Sequence, residues 1–471
     1  MNNYKTLKHI QNDILQNKIT LRGLVLHYLD NINAKKHLNA FVEVFETEAI
    51  QKAEQIDEKI QSGNAGKLAG MVVALKDNIC YKGHAVSASS KILEGFQSVY
   101  SATVVQRLLA EDAIIIGRLN CDEFAMGASN ETSYYGPVKN PIDETRVSGG
   151  SSGGAAVAVS ANMCLAAIAS DTGGSVRQPA AFCGVIGIKP TYGRVSRNGL
   201  LAYASSFDQI GPITQSMDDM KLLMEVISGK DPADATTSSR PVPNYNSSNT
   251  IAPQKIGYIK ECLFHSAIDE EIKQATLAVI DKLKQDGHTV EEISFPYLDY
   301  LVPTYYVLTT AEASSNLSRF SGLTFGHRSK QAVDLETVFK NSRSEGFGKE
   351  VKRRIMLGTF VLSAGSYEAY YTKAQQVRRL VQDKTNEIFD TYDFILSPTT
   401  PTTAFKFGEK SDNPIAMYLA DLFTVHANIS GNPAISVPMG THTNKMPMGI
   451  QLMAKHFCEG EMMTLAETIS S

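Results

Sequence analysis

Along the chain the spacing of apolar residues switches between helical and strand periods, and the switches lay out helices and strands in alternation. Residues 4–34 hold two amphipathic helical patterns. The second opens at Thr20, a capping residue type, and puts Leu21, Leu24, Val25, Tyr28 and Leu29 on one face. Residues 40–45 predict a short strand and 47–61 a charged surface helix. Met71-Val72-Val73-Ala74-Leu75 is apolar without a break, as in a strand buried on both faces. A helix is predicted over 102–110 and another buried strand over 113–117. Later strands are predicted at 183–188, 255–259, 394–397, 434–437 and 448–453, and helices at 270–285 and 367–389. This alternation predicts an α/β protein. From 228 to 254 Pro, Ser, Asn, Asp and Thr dominate, which predicts a long exposed connection.

The stretch from Val147 to Ala180 departs from that rhythm. It contains two small-residue turns, Gly149-Gly150-Ser151-Ser152-Gly153-Gly154 and Asp171-Thr172-Gly173-Gly174-Ser175. Between them the apolar residues suit one short helix (154–162) and one buried strand (165–170). Glycines let the backbone approach a ligand closely. A strand running into Asp171–Ser175 would present the amides of Gly173, Gly174 and Ser175 as a nest beside the Ser175 hydroxyl, the arrangement of a serine nucleophile with its oxyanion site. Three other readings stand beside this one. Two overlapping G-x-S-x-G patterns fit a nucleophile elbow, but the segment ahead of them is polar and contains Pro141. Asp171-Thr172-Gly173 matches an aspartic-protease loop, which would need a second copy that is absent. Both turns could also be plain glycine-rich connections.

A serine nucleophile needs a base. His84 is the only histidine between residues 38 and 264, and no Ser-x-x-Lys occurs. Lys76 ends the apolar run 71–75, where desolvation would favour a neutral amine. On position alone, a lysine that snorkels to the surface or pairs with Asp77 is favoured.

ALKDN at 74–78, GGSSGG at 149–154 and DTGGSVRQPA at 171–180 together resemble the amidase signature family. The resemblance implies a Ser–cis-Ser–Lys triad: Lys76 as base, Ser151 as bridging serine after a cis peptide, Ser175 as nucleophile. It implies oxyanion donors at Thr172, Gly173, Gly174 and Ser175. The implied fold is a single α/β domain over 1–471, a mixed sheet wrapped by helices. Further blocks at 124–133, 192–212, 305–320 and 342–360 resemble, within that family, the A subunits of glutamyl-tRNA(Gln) amidotransferases. That implies a glutaminase supplying ammonia to a B subunit, with a small C subunit binding the two. It also implies Arg354 for the substrate α-carboxylate, Asp421 for its α-ammonium, Tyr305 in the pocket, and Met126, Gly127 and Ser129 on a pocket loop. Arg353 and Tyr306 remain open in place of their neighbours. A free-standing amidase acting on another carboxamide is the alternative.

Composition narrows the remaining choices. A net charge of −4 gives no basic footprint for nucleic acid, so tRNA is expected mainly on the B subunit. None of the Gly-Lys pairs at 66–67, 229–230 and 348–349 is followed by Ser or Thr, so no P-loop is present. No cofactor or metal is expected on this chain; ATP and magnesium are expected on a partner. The six cysteines show no metal spacing, and Cys164 and Cys183 read as core residues. The N-terminal residues lack an apolar signal segment, and no apolar run suits a membrane span, so a cytoplasmic protein is expected.

Overall fold

In the computed structural model, which describes residues 3–246, 251–410 and 417–470, eleven strands form one sheet. In chain order they are β1 (Phe41–Val44), β2 (Val72–Lys76), β3 (Ile114–Leu119), β4 (Ala166–Asp171), β5 (Ile186–Lys189) and β6 (Gln209–Thr214). There follow β7 (Lys255–Ile259), β8 (Thr289–Ile293), β9 (Phe394–Pro398), β10 (Ala434–Thr441) and β11 (Pro447–Ala454). Across the sheet they run β1-β3-β2-β4-β6-β5-β10-β11-β9-β7-β8. The sheet is mixed: β3, β2 and β4 are parallel, β4 through β9 are joined by antiparallel ladders, and β9, β7 and β8 are parallel again. Helices cover it, as expected for an α/β fold.

The centre of the sheet positions the chemistry. Strands β2 and β4 are entirely buried, as their unbroken apolar runs demand. Each large aliphatic side chain there stabilises the fold by about 1.5–3 kcal/mol through burial. They pair in parallel, Val73 with Ala166 and Leu75 with Ile168. Their C-terminal ends therefore finish side by side, bringing Lys76 next to Ser170 and Asp171. The connection between them folds into the helix Gly153–Ser160, whose buried positions run from Gly153 to Val159.

Four differences from the sequence reading have physical causes. The apolar residues at 183–188 do not form one strand. Arg177–Cys183 is helical, Gly184 ends it at φ +69°, and only then does β5 begin. Strand β6 was not anticipated, because Pro212 lies inside a central strand. On the β5 side the ladder reaches only Ile213 and Thr214, while β4 pairs with β6 along its whole length, with Pro212 opposite Ile168. The helix Leu298–Asn316 was masked in the same way by Pro303. The connection at 228–254 is not simply exposed. Asp231 accepts from Thr103 Oγ1 and Ser196 Oγ, and the Tyr245 hydroxyl accepts from Arg194, which buries both residues. Residues 247–250 of that connection lie outside the described residues.

Candidate active site

Lys76 has no exposed surface, and its Nζ sits among three hydroxyls: Ser151 Oγ at 2.7 Å, Ser152 Oγ at 2.8 Å and Ser170 Oγ at 3.0 Å. Among the described residues no carboxylate pairs with it. Asp77, the partner the sequence offers, faces away and binds Arg118 together with the amides of Ser87 and Ser89. Burial without a counter-ion lowers the Lys76 pKa. The cage has a definite proton inventory. An ammonium would donate one hydrogen to each of the three hydroxyls. A neutral amine has two hydrogens and a lone pair. The Ser152 hydroxyl donates to the Ser170 carbonyl at 3.0 Å, so towards Lys76 its oxygen can only accept. Ser170 Oγ accepts from Asn78 Nδ2 at 2.9 Å and can take the second amine hydrogen. The lone pair is then left for the hydroxyl of Ser151.

The two glycine-rich turns meet around this cage. The Gly150–Ser151 peptide is cis. The Gly150 amide donates to Gln178 Oε1 at 2.8 Å, and Gln178 Nε2 donates to the Ala128 carbonyl at 2.7 Å. One buried glutamine thus joins the bridging-serine turn to the loop that carries Gly127 and Ser129. Asp122 orders that loop from inside. Its carboxylate accepts from the amides of Asn130 and Thr132, and its own N–H donates to the Ser151 carbonyl.

Asp171 shapes the nucleophile turn. Its side chain accepts from the amides of Gly174 (2.9 Å) and Val176 (3.1 Å) and is clamped by Arg177 and Asn428. The guanidinium of Arg177 holds the carboxyl at about 2, despite complete burial. One expectation needs correction: the Gly174 N–H is committed to Asp171, so it is not free to face an oxyanion. The amides of Thr172, Gly173 and Ser175 remain as candidate donors for the Ser175 turn. Thr172 is held by its side chain, which donates to Asp208 at 2.7 Å.

Beyond the turn lies a wall of tyrosines. A Cβ on Gly173 would fall 2.6 Å from the Tyr305 hydroxyl, so this glycine is what lets Tyr305 lie against the turn. Tyr306 donates to Asp421 Oδ2 at 3.5 Å and stacks on Tyr418. The alternatives left open at these positions separate: Tyr305 touches the nucleophile turn, and Tyr306 touches Asp421. Thr424 Oγ1 donates to the Gly173 carbonyl at 2.7 Å, tying the Asp421 segment to the turn. Arg354 is 3% exposed and enclosed by the rings of Tyr203, Tyr306 and Tyr418, whereas the Arg353 side chain is 40% exposed. Burial pushes the Asp421 carboxyl up to about 8.

A cavity of about 270 Å³ opens over this wall, lined in part by Gly127, Ser129, Glu350, Arg354, Lys410 and Tyr418. Met126 does not line it: its side chain is fully buried in the apolar cluster with Phe207 and Tyr305. A larger groove of about 580 Å³ lies against the edge strand β1 and is lined by none of the cage residues. Among the described residues no group of three or more His, Cys, Asp or Glu side chains could hold a metal ion, and no helix is long and apolar enough to cross a membrane.

Three cage and clamp residues were not singled out from the sequence. Ser152 sits in the second G-x-S-x-G pattern without a role assigned to it, and Ser170, at the end of the predicted strand 165–170, lies outside the quoted motifs and carries no distinguishing spacing. Arg177 was visible only as a charge directly after the Asp171–Ser175 turn.

Comparison with known proteins bears on this geometry. The Amidase family model matches residues 23–463. The A subunit of the Chlorobium limicola glutamyl-tRNA(Gln) amidotransferase is 50% identical over 461 residues, covering 97% of each chain. Its counterpart in Chlorobaculum tepidum is 50% identical over 466 residues, 98% of this chain and 97% of that one. The crystal structure of the corresponding Thermotoga maritima protein superposes with a TM-score of 0.78 at 42% identity, covering 94% of this chain and 90% of that one. The chain therefore belongs to the amidase family, among the relatives of the A subunits of glutamyl-tRNA(Gln) amidotransferases.

Proposed function

We propose that this chain hydrolyses glutamine through an acyl-enzyme on Ser175 and passes the ammonia to a partner that amidates glutamyl-tRNA(Gln). The observation that carries the reading is the hydroxyl cage around a buried lysine. A buried Lys76 without a counter-ion is 2.7 Å from Ser151, in a chain that matches A subunits over nearly its whole length.

Lys76 takes the proton of Ser151 as Ser151 takes that of Ser175, and Ser175 Oγ attacks the side-chain carboxamide carbon. The oxyanion is held by the amides of Thr172, Gly173 and Ser175, donors that need no reorganisation when charge develops. The proton returns through Ser151 to the leaving nitrogen, ammonia departs, and water attacks the acyl ester by the same relay. Arg354 pairs with the α-carboxylate, Asp421 with the α-ammonium, and Tyr305 packs along the substrate. One fixed cation and one fixed anion are what a free amino acid requires.

The partners in this reading are a B subunit, which handles tRNA, ATP and magnesium, and a small C subunit, all in the cytoplasm. The acidic balance of the chain supports that division. The test is to purify the native chain with whatever accompanies it and to compare glutamine with propionamide as substrates. Co-purification of two further subunits and strong preference for glutamine are expected. Equal turnover of both amides by a lone chain would overturn the reading.

A further inference from the structure

Arg354 is not held by its own helix alone. Its Nε donates to Glu350 Oε1, one turn earlier, at 2.9 Å. Its Nη1 donates to the Tyr203 hydroxyl, also at 2.9 Å, from a loop 151 residues away in sequence. The Tyr203 hydroxyl donates to Thr309 Oγ1 at 2.9 Å, and Thr309 donates to the Tyr305 carbonyl at 2.8 Å. Every hydrogen in this chain has a fixed direction, running from the guanidinium to the helix turn that carries Tyr305. Tyr203 is 1% exposed, so none of these bonds competes with water. The loop bearing Tyr203 is anchored in turn by Asp208. One carboxylate oxygen accepts from the amides of Tyr203 (2.9 Å) and Ala204 (3.1 Å). The other accepts from Thr172 Oγ1 at 2.7 Å, inside the nucleophile turn.

We propose that Tyr203 is a positioning residue that aims Arg354 at the substrate α-carboxylate, and that Asp208 ties this arm to the nucleophile turn. The inference deepens the glutaminase reading and rests on it. With Nε held by Glu350 and one Nη1 hydrogen held by Tyr203, Arg354 keeps Nη2 and the second Nη1 hydrogen for a carboxylate. The hydroxyl of Tyr203 therefore selects which edge of the fork faces the cavity. Asp208 makes the distance between that fork and Ser175 a property of one buried carboxylate, which suits a site that must measure the length of a glutamine.

Tyr203→Phe keeps the ring against the guanidinium and removes only the hydroxyl. In the full chain, purified with its accompanying subunits, the variant should raise the glutamine KM by about 10- to 100-fold, the range for a lost hydrogen bond to a charged group. The glutamine kcat should be retained, so preference for glutamine over propionamide falls by the same factor. Thr172→Val, which keeps the side-chain shape and removes the hydroxyl that Asp208 accepts from, should instead lower kcat on both amides, because the turn loses its tether. An unchanged glutamine KM in Tyr203→Phe would sink the proposal. So would equal losses on both amides with a lowered thermal midpoint, since Tyr203 would then be a packing residue only. Retention of kcat on propionamide in Thr172→Val would remove the tether. Absence of glutamine turnover by the wild-type assembly would remove the underlying reading and this inference with it.

Discussion

The amide of Ser152 donates to the carbonyl of Ser175 at 3.2 Å, joining the two glycine-rich turns backbone to backbone. The same residue's hydroxyl accepts from Lys76 and donates to Ser170. Ser152 thus fixes the distance between the bridging and nucleophile turns while orienting the base. No histidine takes part, and His84 lies near the surface, paired with Glu48. A buried amine among three hydroxyls is what the cage offers for activating a serine.

Removal of the nucleophile should separate the two halves of the overall reaction. Ser175→Ala should abolish glutamine hydrolysis while the assembled enzyme still amidates glutamyl-tRNA(Gln) from free ammonia. The two rates are measured side by side with glutamine or ammonium chloride as donor. An acyl group trapped on any residue other than Ser175 would refute the assignment.

The base makes the pH profile asymmetric. Burial lowers the Lys76 pKa, so the amine is neutral further down in pH than an ordinary lysine, and activity is lost as acid protonates it. The kcat profile should therefore show an acidic limb with a single titration. Lys76→Arg should fall to background at every pH, because guanidinium does not release its proton. Substantial turnover by that variant would rule out the lysine mechanism.

Ser170 is predicted to tune that limb. Its hydroxyl lies 3.0 Å from Lys76 and supports the charged amine as an acceptor. Ser170→Ala removes one acceptor from the ammonium, so the lysine pKa should drop further and the acidic limb should move to lower pH. A charged hydrogen bond of about 1.5–3 kcal/mol corresponds to about one to two pH units, offset in part by the nearby Ser170 carbonyl. A limb that stays in place, or moves upward, would contradict the cage inventory.

The parts of the site legible in the sequence are those held by short local patterns. Lys76 at the end of a five-residue apolar run, and serines inside glycine turns, are features a single chain displays directly. That the turns converge on Lys76 is set by the parallel pairing of β2 with β4, which no local pattern encodes. Strand β6, needed beside β4, is hidden because Pro212 violates strand propensity inside a central strand. The helix around Tyr305 was hidden by Pro303. Arg177 and Asp208 act through contacts in the folded chain, and a buried charged residue in sequence looks the same as an exposed one. The commitment of the Gly174 amide to Asp171 is likewise a matter of three-dimensional direction.

Asp421 should couple glutamine binding to pH. Burial pushes its carboxyl up to about 8, opposed in part by Arg354. Below that pH the group is protonated, and pairing with the α-ammonium must expel the proton. The apparent glutamine KM should therefore fall as pH rises from 6 towards 8, by at most about tenfold per unit, and level off above. The Lys76 limb appears in kcat and this one in KM, which separates them. Asp421→Asn should raise KM and remove its slope; a KM independent of pH in the wild-type protein would exclude the assignment.

The adjacent arginines offer the sharpest test of specificity. Arg354 is buried, aimed by Glu350 and Tyr203, and walled by three aromatic rings; Arg353 is substantially exposed and pairs with Glu350. If Arg354 holds the α-carboxylate, Arg354→Ala leaves that charge without a partner in the pocket, at a cost of about 2–5 kcal/mol. The glutamine KM should then rise by about 30-fold or more. Arg353→Ala removes only a solvent-screened ion pair and should change KM by less than about fivefold. An activated, uncharged ester asks nothing of either guanidinium, so its hydrolysis at Ser175 reports whether the nucleophile survives in both variants. Loss of the ester reaction in Arg354→Ala would make the residue a structural support for Tyr203, Tyr306 and Tyr418. A reversed order, with Arg353→Ala the weaker binder, would move the carboxylate to the outer rim of the cavity and leave Arg354 as the cation that balances Glu350.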